Sequence, residues 1–178
     1  MTGDPATDDD LEVFAADEQR ELPVDLRRWV RLARFVLGEE RVSGAAEMSL
    51  LFVEEQAVSD LNERFLGGDG PTDVLAFPMD DEVVAGGRRP DQGGRGPGAP
   101  SDLGEPPRVI GDVVVCPAVA RRQAAERGIP LDDELALLVV HGVLHLLNYD
   151  HVEEREAEAM RQRERELLTR FRDLERGG

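Results

Sequence analysis

LDDELALLVVHGVLHLLNYDH, residues 131–151, is the stretch from which the rest of the chain can be read. After an acidic first turn its residues are apolar nearly all round as far as Leu147. That pattern predicts a buried helix. Asp132 and Asp133 suit the positive end of its dipole. The stretch also holds all 3 histidines of the chain, His141, His145 and His151. His141 and His145 are four apart, so a helix puts them on one face, one turn above the other. Two imidazoles in that relation can hold the same zinc ion. His151 lies further on, where a continuous helix would carry it away from the first two. The chain must therefore turn after about Leu147 for His151 to join them, and Asn148 tolerates the left-handed conformation that ends helices. Three imidazole nitrogens and an open fourth position make a catalytic zinc site, whereas structural sites are closed by four protein ligands.

Outward from this helix, strand and helix patterns alternate. Residues 1–10 read as a disordered acidic lead, and Leu11 to Ala15 as a short edge strand. From Pro23 to Leu37, apolar residues recur at Leu26, Trp29, Val30, Leu32, Ala33, Val36 and Leu37, which is helical spacing. Met48 to Val53 reads as a buried strand. Gln56 to Phe65 reads as a helix, with Glu55 or Ser59 near its start. Gly67 to Pro71 is a loop by composition, and Thr72 to Pro78 is a further strand. Residues 79–107 are dominated by Gly, Pro, Asp and Arg. They predict a mobile surface insertion, because they carry too little apolar surface to order themselves. Val109 to Cys116 is a strand, with Gly111 a bulge or a point of close approach. Pro117 opens a helix that Gly128 ends. Val152 to Phe171 is an amphipathic helix with Ala157, Met160, Leu167, Leu168 and Phe171 inward; residues 173–178 are a tail. The expected fold is α+β: a single small domain over residues 11–172, with a mixed sheet of about four strands and about five helices. The buried helix that bears the histidines sits at its centre.

At 178 residues the chain can bury a sizeable core. A formal net charge of −17 argues against nonspecific binding to nucleic acid or anionic membrane. Much of that acidity falls in residues 1–22, expected to lie outside the fold. All 21 basic residues are Arg. The single Cys116 excludes an intramolecular disulfide and reads as a buried small hydrophobe. The N-terminus MTGDPATDDD lacks the apolar core of a signal peptide, and no apolar run is long enough to cross a bilayer. A soluble cytoplasmic protein is expected.

The histidine spacing is shared with metzincin peptidases, which place a general-base Glu directly after the first His. Here that position is Gly142, and Met160, the sole downstream Met, falls in a helical pattern. Peptidase chemistry is disfavoured. HGVLHLLNYDH instead resembles the H-G-x-L-H-L-x-G-Y-D-H signature of the YbeY family, metal-dependent, single-strand-specific endoribonucleases of bacterial rRNA maturation. LNERFLGGDGPTDVLAFP (residues 61–78) and GDVVVCP (residues 111–117) extend the resemblance.

The resemblance implies that His141, His145 and His151 bind one zinc ion, which would polarise a phosphodiester oxygen and activate water. It implies a zinc-dependent endoribonuclease acting on single-stranded rRNA, in small-subunit 3′-end maturation and ribosome quality control. The implied partners are the small ribosomal subunit and a ribosomal protein or assembly GTPase; DNA and membrane are not expected. His141, Asp150 and Arg64 are the catalytic candidates. Asp150 would orient an imidazole or take a proton, or else stabilise the turn. Thr72 and Asp73 begin the strand that borders the family's groove, and turn chemistry accounts for them better than catalysis does. Three positions depart from the pattern. Asn148 replaces Gly, Ala76 replaces Ser, and Leu66 stands where the family commonly has a phosphate-binding Arg. Arg64, two residues earlier, is the nearest substitute cation, and Arg121 and Arg122 are others. A ribosome-biogenesis binding factor with weak or no nuclease activity is the alternative reading.

Overall fold

The computed structural model describes residues 10–79, 106–149 and 153–178. Four strands form one mixed sheet: β1 (Leu11–Asp17), β2 (Ala46–Phe52), β3 (Val74–Pro78) and β4 (Arg108–Val115). Their order across the sheet is β1-β2-β4-β3. β1 and β4 each run parallel to β2, while β3 is antiparallel to β4 at the edge. Five α-helices complete the described fold: α1 (Leu26–Glu39), α2 (Glu55–Leu61), α3 (Pro117–Arg127), α4 (Leu131–Leu146) and α5 (Glu154–Gly177). The expected α+β class, strand number and helix number all hold.

The sheet has two unequal cores. Leu50, Phe52, Val113 and Val115 point to one face and join Trp29, Leu32 and Val36 of α1, the apolar side of α4, and Met160, Leu167 and Phe171 of α5. Leu75, Val114 and Cys116 point to the other face, where Val58 of α2 and Val119 of α3 cover them. The strand alternation that makes one residue inward and the next outward thus feeds both cores. Cys116 is fully buried, as expected of a small hydrophobe. α4 is the central element, packed on β3, β4, α1, α3 and α5.

Local differences from the sequence reading have local causes. α1 begins at Leu26 because the Asp25 carboxylate takes the N–H of Arg28 (3.2 Å) and so caps the helix. The helix expected over residues 56–65 is α-helical only to Leu61. It continues as a π-helical turn, Asn62–Leu66, that ends at left-handed Gly67. Residues 11–22 lie within the fold: β1 is a full edge strand, and buried Gln19 donates to Leu22 O (2.6 Å). α5 runs on through the expected tail to Gly177, because Arg28 holds Glu175 through two bonds of 3.0 Å. The expected disordered lead lies, up to residue 9, outside the described residues. So does the expected insertion between residues 80 and 105.

Two glycines set how closely the layers pack. Gly111 has φ +143°, and a Cβ there would stand 2.2 Å from the Phe77 carbonyl oxygen. It also follows an irregularity in the β2–β4 register, where Glu47 pairs with Val109 but Met48 pairs with Gly111. The residue skipped in that register is Ile110, so Gly111 is the point of close approach and sits directly beside the bulge. Gly142 is buried in α4, where a Cβ would meet Val113 Cγ1 at 2.5 Å. A glycine here lets the histidine helix lie directly on the sheet.

Candidate metal centre

α4 presents His141 and His145 on one face, as their spacing requires. Their Nε2 atoms are 3.0 Å apart and their ring centroids 4.5 Å apart. The helix ends at Leu146, and Asn148 adopts φ +67°, the left-handed turn expected of it. Tyr149 N–H closes the turn on the Leu144 carbonyl (3.1 Å). Asp150 and His151, the remaining candidates of this stretch, lie outside the described residues.

Behind the pair stands Glu164 of α5, a residue the sequence reading passed over. Its carboxylate Oε1 lies 2.5 Å from His141 Nδ1, with only 8% of the side chain exposed. A carboxylate in that place accepts the Nδ1 proton and leaves the ring's lone pair on Nε2. The signal for it was present. Met160, Glu164, Leu167, Leu168 and Phe171 form one stripe on α5, and Glu164 is the charged member of that otherwise apolar stripe.

The donor set fits a metal ion. Two Zn–N bonds of about 2.0–2.1 Å at a tetrahedral angle put the nitrogens roughly 3.3 Å apart, near the 3.0 Å found between the two Nε2 atoms. Among the described residues no group of three His, Cys, Asp or Glu side chains gathers at one point. A third protein ligand would come from outside the described residues, where the expected His151 lies. Gly142 also disposes of the peptidase base: a side chain at that position would enter Val113 instead of reaching the histidines.

The histidines line a cavity of about 210 Å³ with Leu66, Val74, Leu75, Ala76 and Gly142. β3 forms one wall, and the π-helical turn brings in Leu66, which is 56% exposed. Single π turns are frequent at functional sites. Arg64 is exposed on the same turn but does not line the cavity. Arg122 is paired with Glu55, and Arg121 lies 4.0 Å from Glu21. The position expected to supply a cation thus reaches the cavity as a leucine.

Thr72 and Asp73 have structural duties. Asp73 Oδ1 accepts from Val74 N–H (2.8 Å) and from the Thr72 hydroxyl (3.3 Å), and its carbonyl accepts from Cys116 N–H (2.8 Å). With its amide nitrogen turned toward them, Gln123 donates to Asp73 (3.0 Å) and to buried Glu134 (3.1 Å). Burial pushes the Glu134 carboxyl up, against the opposing pull of Arg127 at 3.0 Å. This network joins β3, α3 and α4 and holds the edge strand beside the histidine helix.

Residues 14–172 match the family described as Endoribonuclease YbeY. The chain belongs to the YbeY family. It is 44% identical to the endoribonuclease YbeY of Thermobifida fusca, over 85% of this chain and 88% of that one. It is 49% identical to that of Mycolicibacterium vanbaalenii, over 78% and 69%. Its fold resembles the solution structure of TM1509 from Thermotoga maritima, with a TM-score of 0.51, 23% identity and coverage of 90% and 92%. Membership in the YbeY family gives the paired histidines and their carboxylate a context, because the relatives named here are endoribonucleases.

Proposed function

We propose that this protein is a zinc-dependent endoribonuclease that cuts single-stranded rRNA during small-subunit 3′-end maturation and ribosome quality control in the cytoplasm. The observation that carries the reading is the pair of Nε2 atoms 3.0 Å apart, backed by Glu164 and open to a cavity. His141 and His145, with His151, would hold the zinc ion. Bound there, zinc supplies Lewis-acid polarisation of a phosphodiester oxygen and activation of water. The protein's own residues do the positioning. Glu164 fixes the His141 ring and its tautomer. Gly142 seats the helix on Val113, and β3 walls the cavity against which the RNA strand lies. Asp150 beside the third ligand is the proton carrier in this scheme.

The test is cleavage of a labelled single-stranded RNA by the zinc-loaded protein, with His145→Ala in parallel. Cleavage that disappears in the variant and with chelator supports the reading. A folded, zinc-bearing wild type that leaves RNA intact, free or within small-subunit particles, refutes it. Leu66 in the cavity favours a second reading, a ribosome-biogenesis binding factor of weak or no nuclease activity. That reading predicts association with small-subunit particles that the His145→Ala variant retains.

A further inference from the structure

One turn beyond His145 the molecule opens a second, larger cleft of about 670 Å³. It lies between the exit of α1, the end of α4 and the start of β4. Its charged lining residues are Glu40, Arg41 and Arg108, with Ser43, Asn148 and Tyr149 beside them. Glu40 is already engaged: its carboxylate accepts from the Tyr149 hydroxyl (2.7 Å) and from Arg163 Nε (2.5 Å). Arg41 and Arg108 are both exposed, and neither forms a salt bridge among the described residues. Many other arginines of this acidic chain are tied to carboxylates, as Arg28, Arg122, Arg127, Arg163 and Arg172 are. Among the described residues, the cleft therefore carries two guanidiniums outside ion pairs and one carboxylate that is already engaged.

Arg41 is placed at the cleft by the end of α1. Its backbone sits at φ +56°, a left-handed conformation that Gly or Asn would occupy at less cost. Hydrogen bonds from Arg41 N–H to Gly38 O (3.0 Å) and from Val42 N–H to Leu37 O (3.1 Å) hold it there. These two bonds are the Schellman pattern that ends α1, so the left-handed turn at Arg41 closes the helix and sets its side chain on the wall of the cleft. Asn148, also left-handed, lines the same cleft and belongs to the turn that follows the histidine helix.

We infer that Arg41 and Arg108 grip the phosphate backbone of single-stranded RNA on the α1 side of the histidine pair, supplying cationic contacts that Leu66 does not. The inference rests on the endoribonuclease reading and assigns that reading its phosphate-binding residues. Guanidinium forks match phosphate oxygens bidentately, and Ser43 and Asn148 add neutral hydrogen-bonding groups in the same cleft.

The test compares the wild type with Arg41→Gln/Arg108→Gln and with a charge-matched control, Arg27→Gln/Arg176→Gln, at exposed positions on other parts of the helices. Binding of a fluorescein-labelled oligouridylate is followed by anisotropy across a salt series in chelator, so that cleavage does not interfere, and circular dichroism checks folding. The expected result is weaker binding by the cleft variant alone. Its slope of log K against log salt should be shallower by about 1.4, from roughly 0.7 per phosphate contact on a single strand. With zinc-loaded enzyme the same variant should raise KM with kcat little changed. An unchanged slope and affinity overturns the assignment, and so does an equal loss in the control. Wild type that binds no RNA, even zinc-loaded, overturns the endoribonuclease reading and this inference with it. Wild type that binds RNA but never cuts it leaves the cleft assignment to the slope comparison alone, so the two failures are distinguishable.

Discussion

Glu164 on α5 and His141 on α4 meet at 2.5 Å, a contact that ties the last helix to the candidate metal centre. The carboxylate is 8% exposed and holds the Nδ1 side of the ring, so Nε2 faces His145. Replacing Glu164 with Ala should weaken zinc binding by about 10–100-fold, the usual cost of losing a carboxylate behind a ligand imidazole. Gln, which can still accept through its amide oxygen, should recover part of that loss. Competition with a fluorescent chelator gives both affinities. Equal affinity in the wild type and the Ala variant would show that the carboxylate serves packing alone.

Gly142 should be intolerant even of alanine. The added methyl would press on Val113, a β-branched side chain in a central strand with little rotamer freedom. Overpacking of this kind typically costs about 1–3 kcal/mol. Urea denaturation should place Gly142→Ala lower in midpoint by a corresponding amount. A midpoint equal to that of the wild type would mean that the helix shifts off the sheet without cost.

Glu134 makes a prediction with a definite sign. Its folded carboxyl lies above its ordinary value, chiefly because it is buried, with nearby Asp73 adding to the effect and Arg127 opposing it. The folded state therefore favours the protonated form. This group's contribution to stability is fully present below the unfolded carboxyl pKa of about 4.3 and is lost as pH rises through the raised folded value. Glu134→Gln, which keeps the shape without the charge, should melt no lower than the wild type at neutral pH. The advantage should disappear below about pH 4, where the carboxyl is protonated in both states. Melting curves across that range decide it, and a variant much less stable at pH 7 would show that the Arg127 pair outweighs burial.

The parts of this fold that were legible in the sequence are those governed by periodicity and by turn chemistry. The apolar run of α4 marked the central helix, Asn148 took the left-handed conformation expected of it, and Gly128 ended its helix as expected. Gly111 proved to be the close approach, beside a bulge at Ile110. The π-helical turn was not legible, because its hydrogen-bond pattern has no residue signature comparable to a cap. Its consequence is large, since it brings Leu66 to the cavity wall while Arg64 stays outside. Glu164 is not legible as the partner of His141, because in sequence a charge within an amphipathic stripe looks the same as one on the solvated face. Arg41 and Arg108 are far apart in sequence, and they line one cleft because the segment that follows α1 leads into β2, whose start pairs with Arg108.

Acidification should strip the metal before it unfolds the protein. Ligand imidazoles must be neutral to bind, and histidine ordinarily titrates near about pH 6.5. Zinc content after equilibration and desalting should fall steeply across that region. Full occupancy retained below about pH 5 would contradict a ligand set of His141, His145 and His151.

Leu66→Arg is the substitution with the most to gain. Leu66 lines the cavity beside His141 and His145 and is 56% exposed, so a guanidinium can be placed there without burying a charge. Exposed π-turn residues have few packing partners to lose, and stability should change by no more than about 0.5 kcal/mol. On the endoribonuclease reading, a cation at this wall would stand where negative charge develops during phosphodiester cleavage, and such contacts act most strongly in the transition state. Single-turnover cleavage of labelled RNA should therefore become faster in Leu66→Arg, with a smaller effect on ground-state affinity. If the rate is unchanged while RNA binding tightens, position 66 meets the strand away from the scissile phosphate. If neither changes, the cations needed for the reaction are already supplied from elsewhere, and Arg41 and Arg108 become the residues to remove in the Leu66→Arg background.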